Sequence, residues 1–334
     1  MWIADDEKYA LVSLKVQLEG NPPPQQIAPN LWILTGTSFE VPSEWREWLG
    51  SIRTKQIADS NVFLVSKLGS TTPDILDNEN QLLLQRVRNF YVGLLLSAMF
   101  SPSHKPAILT GARKNGVIGV RHQENLELPM RQLFRRPPIS VDNIRSGAAL
   151  GQQLEAMQSE TVPGGLWQFF RTLDIYVKAR STQSILDQIH QYCRCIDGMI
   201  LPTEGKTKKQ FKSRSELFIG PGHHDLMGTL YDIRSQVEHL HENLHLEKFD
   251  RNVRLELVRK EAIIEYIVRT TLARIIRQVC LWRYFGNTVE LKEFWALSPT
   301  IRRRIWGDPI DPRVAVVDFD SNSVNDERLE KTSA

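Results

Sequence analysis

The chain has 334 residues, of which 41% are hydrophobic and 24% charged, and a formal net charge of +3. That length suffices for about two domains with cores of their own, and the composition excludes a collagenous, low-complexity or wholly disordered chain. So small a net charge does not argue for a nucleic-acid partner; only local clustering of basic residues could. Three cysteines, Cys193, Cys195 and Cys280, cannot build a disulfide framework, which points to a reducing, cytoplasmic setting. The opening Met1-Trp2-Ile3-Ala4-Asp5-Asp6 lacks the basic and apolar pattern of a secretory leader, and the uncharged run over 89–103 is shorter than the roughly 20 residues of a bilayer span. No membrane association is expected.

In chain order, residues 10–18, 31–37 and 62–67 read as short strands between turn-rich stretches such as Gly20-Asn21-Pro22-Pro23-Pro24. A helix is predicted over 80–100, where Leu82, Leu83, Val87, Phe90, Tyr91, Leu94 and Leu95 recur at helical spacing. The Arg- and Pro-bearing stretch 131–138 reads as a boundary, because paired prolines stop helices. Beyond it, helices are predicted over 142–160, 165–178, 182–199, 207–219, 223–243 and 251–285. The sequence thus predicts an α+β chain in three parts. A strand-bearing N-terminal domain over 1–140 is followed by an all-α helical domain over 141–296 and a largely mobile tail over 297–334.

Five of the eight histidines fall within 223–245, and two motifs overlap there. His241-Glu242-Asn243-Leu244-His245 satisfies the HExxH spacing of zinc peptidases, in which two imidazoles one turn apart share a metal and the Glu polarises bound water. The glycine and third histidine of the longer metzincin pattern are missing, and Lys248 and Arg251 stand in their place. Glu261 and Glu265 are the carboxylates available as a third ligand. Ordinary solvated histidines are the preferred reading of His241 and His245.

The other motif is Leu230-Tyr231-Asp232-Ile233-Arg234-Ser235-Gln236-Val237-Glu238-His239. Arg234 and His239 stand about 140° apart around a helix, and Ser235 lies one turn before His239. An imidazole titrating near neutrality can move the 2′-hydroxyl proton of RNA, and a guanidinium can bind a phosphate and stabilise its transition-state charge. The plain alternative is an arginine that forms surface ion pairs with Asp232 and Glu238.

That segment is preceded by Phe211-Lys212-Ser213-Arg214 and by an apolar helix ending near Cys195-Ile196-Asp197-Gly198-Met199. Together they resemble the HEPN superfamily and, within it, the ApeA-like branch, over residues 165–285. The resemblance implies a helical bundle and a metal-independent ribonuclease without cofactor, usually a homodimer in which the Arg and His of two protomers share a cleft. It implicates Arg234, Ser235 and His239, with Tyr231 and Asp232 supporting them. The chain departs from the pattern at Leu240, where many relatives have Gly, and at Asp197, where Glu is expected. The superfamily also holds noncatalytic RNA- and protein-binding members.

Lys206, Lys208, Lys209, Lys212 and Arg214, with Phe211 among them, have the composition of an RNA contact. Residues 251–285 carry eight basic and three acidic residues, an excess larger than that of the whole chain. The resemblance carries the expectation of an endoribonuclease, an antiphage or toxin-like effector, with RNA as substrate and a regulatory partner or trigger at the N-terminal domain.

Overall fold

The computed structural model describes residues 2–70, 72, 74–129, 138–160, 165–239, 250–322 and 324. Contacts divide the chain into two compact units, one ending near Ala156 and the other starting at Met157.

The first unit is built on a six-stranded antiparallel sheet. Its elements in chain order are β1 (Glu7–Leu14), β2 (Gln25–Ala28), β3 (Leu31–Thr35), α1 (Trp45–Leu49), α2 (Ser51–Ala58), β4 (Val62–Gly69), α3 (Asn78–Ser97), β5 (Ala107–Lys114), β6 (Val117–Asn125) and α4 (Val141–Glu160). The strand order is β2-β3-β4-β1-β5-β6. β1 lies in the interior, and seven of its eight residues are buried, as a strand covered on both faces requires. Successive side chains alternate across it. Tyr9 and Leu11 join Trp2, Phe39, Trp45 and Phe63 in an aromatic core, where Trp45 Nε1 donates to the Ile118 carbonyl at 2.9 Å. Lys8 instead reaches the start of α3, where its fully buried ammonium meets Asp77 and, at 2.8 Å, Glu79.

The hairpin of β5 and β6 was not anticipated, although its turn is written in the chain. Lys114 pairs with Val117 across Asn115-Gly116, and both turn residues have positive φ, 51° and 80°, the conformation a type I′ turn demands of Asn-Gly.

α4 belongs to this sheet unit, so the expected boundary at 141 shifts by most of a helix. Glycines are the reason. A Cβ on Gly93 of α3 would lie 2.1 Å from the Gly147 carbonyl, and one on Gly151 would lie 2.8 Å from Phe90 Cα. The two helices thus touch backbone to backbone, which periodicity of apolar residues alone does not reveal.

The second unit is helical: α5 (Trp167–Ser181), α6 (Ile185–Ile200), α7 (Thr207–Ile219), α8 (His224–Glu238), α9 (Arg251–Arg277), α10 (Val279–Phe285), α11 (Thr288–Ala296), α12 (Pro299–Trp306) and a 3-10 turn (Pro312–Val316). Ser184 caps α6 by accepting from the Asp187 amide, and Asp250 caps α9 by accepting from the Val253 amide, satisfying donors that a helix start leaves open. The predicted helix over 251–285 is two helices, because Gln278 is extended (φ −107°, ψ 96°); Trp282 Nε1 donates back to the Ile276 carbonyl at the break.

The expected mobile tail is, as far as residue 322, a packed part of this unit. Trp306 is fully buried, 4.8 Å from Phe218 and 5.9 Å from Phe285. Arg303 donates to the carbonyls of Glu216 and Leu217 at the end of α7. Arg214 does the same at the end of α6, donating to Ile200 and Leu201, and Arg302 caps α11 at Trp295. Cations belong at helix C-termini, where unpaired carbonyls concentrate negative potential. Among the described residues no helix is long and apolar enough to cross a membrane.

Candidate functional site: an ionic cluster between two helices

α6 is strongly amphipathic, and Ile185, Ile189, Tyr192, Cys193, Ile196 and Met199 are buried along it. Its packing against α8 brings Asp197, two turns beyond His190 on the same face, to the Arg234 guanidinium. Asp197 Oδ2 lies 3.3 Å from Arg234 Nε. Glu238, one turn beyond Arg234 on α8, lies 2.5 Å from Arg234 Nη1. The ring of Tyr231 stands 5.5 Å from the guanidinium carbon, within cation–π range.

Burial pushes the Asp197 carboxyl up to about 6; Arg234 opposes the shift and the negative charge of Glu238 adds to it. The hold of Asp197 on Arg234 therefore weakens as pH falls through about 6. His190 is pushed the other way, because burial disfavours its protonated form more than Glu238 supports it.

His239 is the C-cap residue of α8 and is exposed, with its backbone N–H donating to the Ser235 carbonyl at 3.1 Å. Ser235 thus meets His239 through the main chain. No hydrogen bond from the Ser235 hydroxyl occurs among the described residues. Tyr231 donates its hydroxyl to Thr207 Oγ1 at 2.7 Å. Asp232 faces away from Arg234 and pairs with Lys208 at 2.6 Å; both side chains are about half exposed, and such pairs contribute little.

Two residues of the expected RNA contact point inward. Phe211 is fully buried, with its ring 5.5 Å from that of Tyr231, so no base can stack on it. Arg214 is committed to the end of α6 and lies 5.1 Å from the centre of the Trp295 ring. Helical periodicity explains both: Phe211 and Ser215 lie one turn apart on the buried face of α7, and Arg214 is directed to carbonyls beside that face. Lys206 and Lys209 are exposed and Lys212 is half-buried.

The basic excess over 251–285 is likewise partly internal. Arg254 is buried, Arg274 donates to the Trp306 and Asp308 carbonyls, and Arg269 is held by Glu265 at 3.0 Å. Glu265 also accepts from the Tyr176 hydroxyl at 2.9 Å, and Tyr176 accepts from Arg180 Nη1 at 3.0 Å. Sequence reading missed this buried network, because its members are scattered over α5 and α9. Glu265 is thereby taken up as a carboxylate, and the HExxH motif, His241, Glu242 and His245, lies outside the described residues. The Cys193 and Cys195 thiols are buried and donate to the Leu230 and Thr172 carbonyls, packed as small apolar groups.

No protein-family model, curated protein or solved structure matches the chain.

Proposed function

We propose that the helical unit is a metal-independent endoribonuclease of the HEPN type, with Arg234 and His239 as its reacting pair. One observation carries this reading. Asp197 and Arg234, distant in sequence and both part of the stretch that resembles the family, meet at 3.3 Å with Glu238 beside them, and His239 stands exposed at the adjoining helix end.

In this mechanism His239 takes the proton of the ribose 2′-hydroxyl, whose oxygen attacks the adjacent phosphorus. The bond from phosphorus to the 5′-oxygen breaks, that oxygen takes a proton from water, and a 2′,3′-cyclic phosphate remains. Arg234 stabilises the added negative charge on the phosphorane. Lys206 and Lys209 supply positive charge for the RNA backbone, and a second copy of the chain brings its own pair to the cleft. An antiphage or toxin-like role, with a trigger recognised by the sheet unit, belongs to the same proposal.

The test is cleavage of mixed transfer and messenger RNA by the purified full chain in excess EDTA, beside Arg234→Ala and His239→Ala. The expected outcome is wild-type cleavage with cyclic-phosphate ends and a loss of at least about 100-fold in each variant, the scale of a missing acid–base or charge-stabilising group. Undiminished cleavage by His239→Ala would remove that residue from the mechanism. The occupied state of Arg234, with a carboxylate on each side, favours a second reading, a noncatalytic RNA-binding module. It predicts salt-sensitive RNA affinity without cleavage.

A further inference from the structure

The ionic cluster of α6 and α8 is only partly closed. Arg234 Nε, Asp197 Oδ1 and His190 Nε2 are each buried without a hydrogen-bond partner among the described residues. Buried polar atoms are nearly always paired, and beyond the 3.3 Å ion contact of Arg234 Nε with Asp197 Oδ2 these groups are unsatisfied, which favours a further polar partner on this face.

The two carboxylates on Arg234 are also unequal. The Asp197 side chain is 17% exposed and belongs to the neighbouring helix, whereas Glu238 is 44% exposed and holds Arg234 from one turn away on its own helix. Glu238 can swing into water at lower cost than Asp197, because its carboxylate is already 44% exposed and its charge partly screened. Asp197 cannot leave without carrying a polar group out of the packed helix face.

We propose that Glu238 is a displaceable counter-ion: a phosphate oxygen of the substrate takes its place on the Arg234 guanidinium, and the enclosed Nε2 of His190 gives the same phosphate a second donor. Glu238 thereby gates the site, and His190 becomes a phosphate-positioning residue. The inference rests on the reading of Arg234 as the phosphate-binding group. Phosphate suits the position because guanidinium bonds phosphate and carboxylate oxygens with the same paired geometry. The charged groups facing His190 are Glu238 and Arg234 from α8, and Arg194 and Asp187 from its own helix. Exchanging Glu238 for a phosphate keeps a negative charge near the imidazole, and a hydrogen bond from Nε2 to that phosphate favours the protonated ring.

The probe is inorganic phosphate titrated into the full chain at constant ionic strength, followed by calorimetry and by the ring-proton resonances of His190. Wild type, Glu238→Gln and Arg234→Ala are compared. Glu238→Gln should bind phosphate about three- to tenfold tighter than wild type, because the competing charge is gone and only a weaker neutral acceptor remains. His190 should shift toward its protonated position in both proteins, and Arg234→Ala should lose the binding.

The proposal is overturned if folded Glu238→Gln, shown by an unchanged thermal transition, binds phosphate no better than wild type. It is also overturned if phosphate leaves the His190 resonances unmoved. RNA cleavage in EDTA separates this from the failure of the ribonuclease reading. Tighter phosphate binding without cleavage keeps the gate and removes the nuclease; cleavage with indifferent phosphate binding keeps the nuclease and removes the gate.

Discussion

The sheet unit and the helical unit treat buried charge in opposite ways. In the sheet unit the core around β1 is apolar and aromatic, and the fully buried cation Lys8 is delivered to carboxylates at the rim, with Asp77 28% and Glu79 44% exposed. In the helical unit both partners are inside: Arg180 and Glu265 are 3% and 2% exposed. The rim carboxylates keep part of their hydration, so their pairing with Lys8 ties α3 to β1 at a smaller cost than a pair enclosed on both sides. Charges enclosed together are desolvated, and they hold only while every partner is present. The sheet unit therefore leaves its paired carboxylates in contact with water, whereas the helical unit holds unhydrated, unevenly paired groups, an environment that shifts pKa values.

The largest expected effect tests that contrast directly. Arg180→Ala removes the cation from Tyr176 and Glu265 and leaves a buried carboxylate with Arg269 as its remaining cation. Breaking a buried pair costs about 3–5 kcal/mol. Amide hydrogen exchange should show the loss in α5, α6 and α9 while the sheet amides keep their protection. Equal loss across β1, β4 and β5 would mean that the two cores unfold as one and that the contrast is not energetic.

In the sheet unit the equivalent weak point is steric. Gly93→Ala places a methyl where the Gly147 carbonyl already stands, 2.1 Å away, so α3 and α4 must separate. Overpacking of this kind costs about 1–3 kcal/mol. Urea denaturation, followed by the fluorescence of the unit's buried tryptophans, should report it. An unchanged midpoint would mean that α4 is not held by this contact.

These sites also show what the sequence made legible. The bounds of α7 follow from its pattern, and the interior helix α3 follows from its apolar spacing, because both signals are local. The Asn115-Gly116 turn is a local signal too, but β5 beside it is buried along most of its length and so shows no polar alternation. What periodicity could not give was direction. Arg214 and Phe211 belong to a basic stretch by composition, yet they turn inward because α7 needs one buried face and α6 needs its last carbonyls satisfied. The pairing of Asp197 with Arg234 depends on which helix lies against which, and no spacing encodes that. Arg234, His239 and the Glu238 pairing, one turn away on the same helix, could be named from sequence, but the Asp197 carboxylate meets Arg234 only when α6 and α8 are packed.

The smallest expected effect is a stabilisation, and it probes the unpaired edge of the buried network. Burial pushes the Glu261 carboxyl up to about 8, the charge of Glu265 adds to the shift, and Arg180 opposes it. In the unfolded chain the group titrates near its ordinary value, close to 4.5. The folded state therefore binds more protons throughout the window from about 4.5 to about 8, and stability falls as pH rises through it. Below that window both states are protonated and the penalty vanishes. Glu261→Gln has no proton to lose, so it should match wild type at about pH 5 and exceed it by about 1–2 kcal/mol at pH 8, part of the gain being offset by the buried amide. Urea denaturation at both pH values checks the slope as well as the sign. A variant that gains nothing at pH 8 would mean that the Glu261 carboxylate is hydrated or paired in solution, and the helical unit would then resemble the sheet unit in keeping its surplus charge in contact with water.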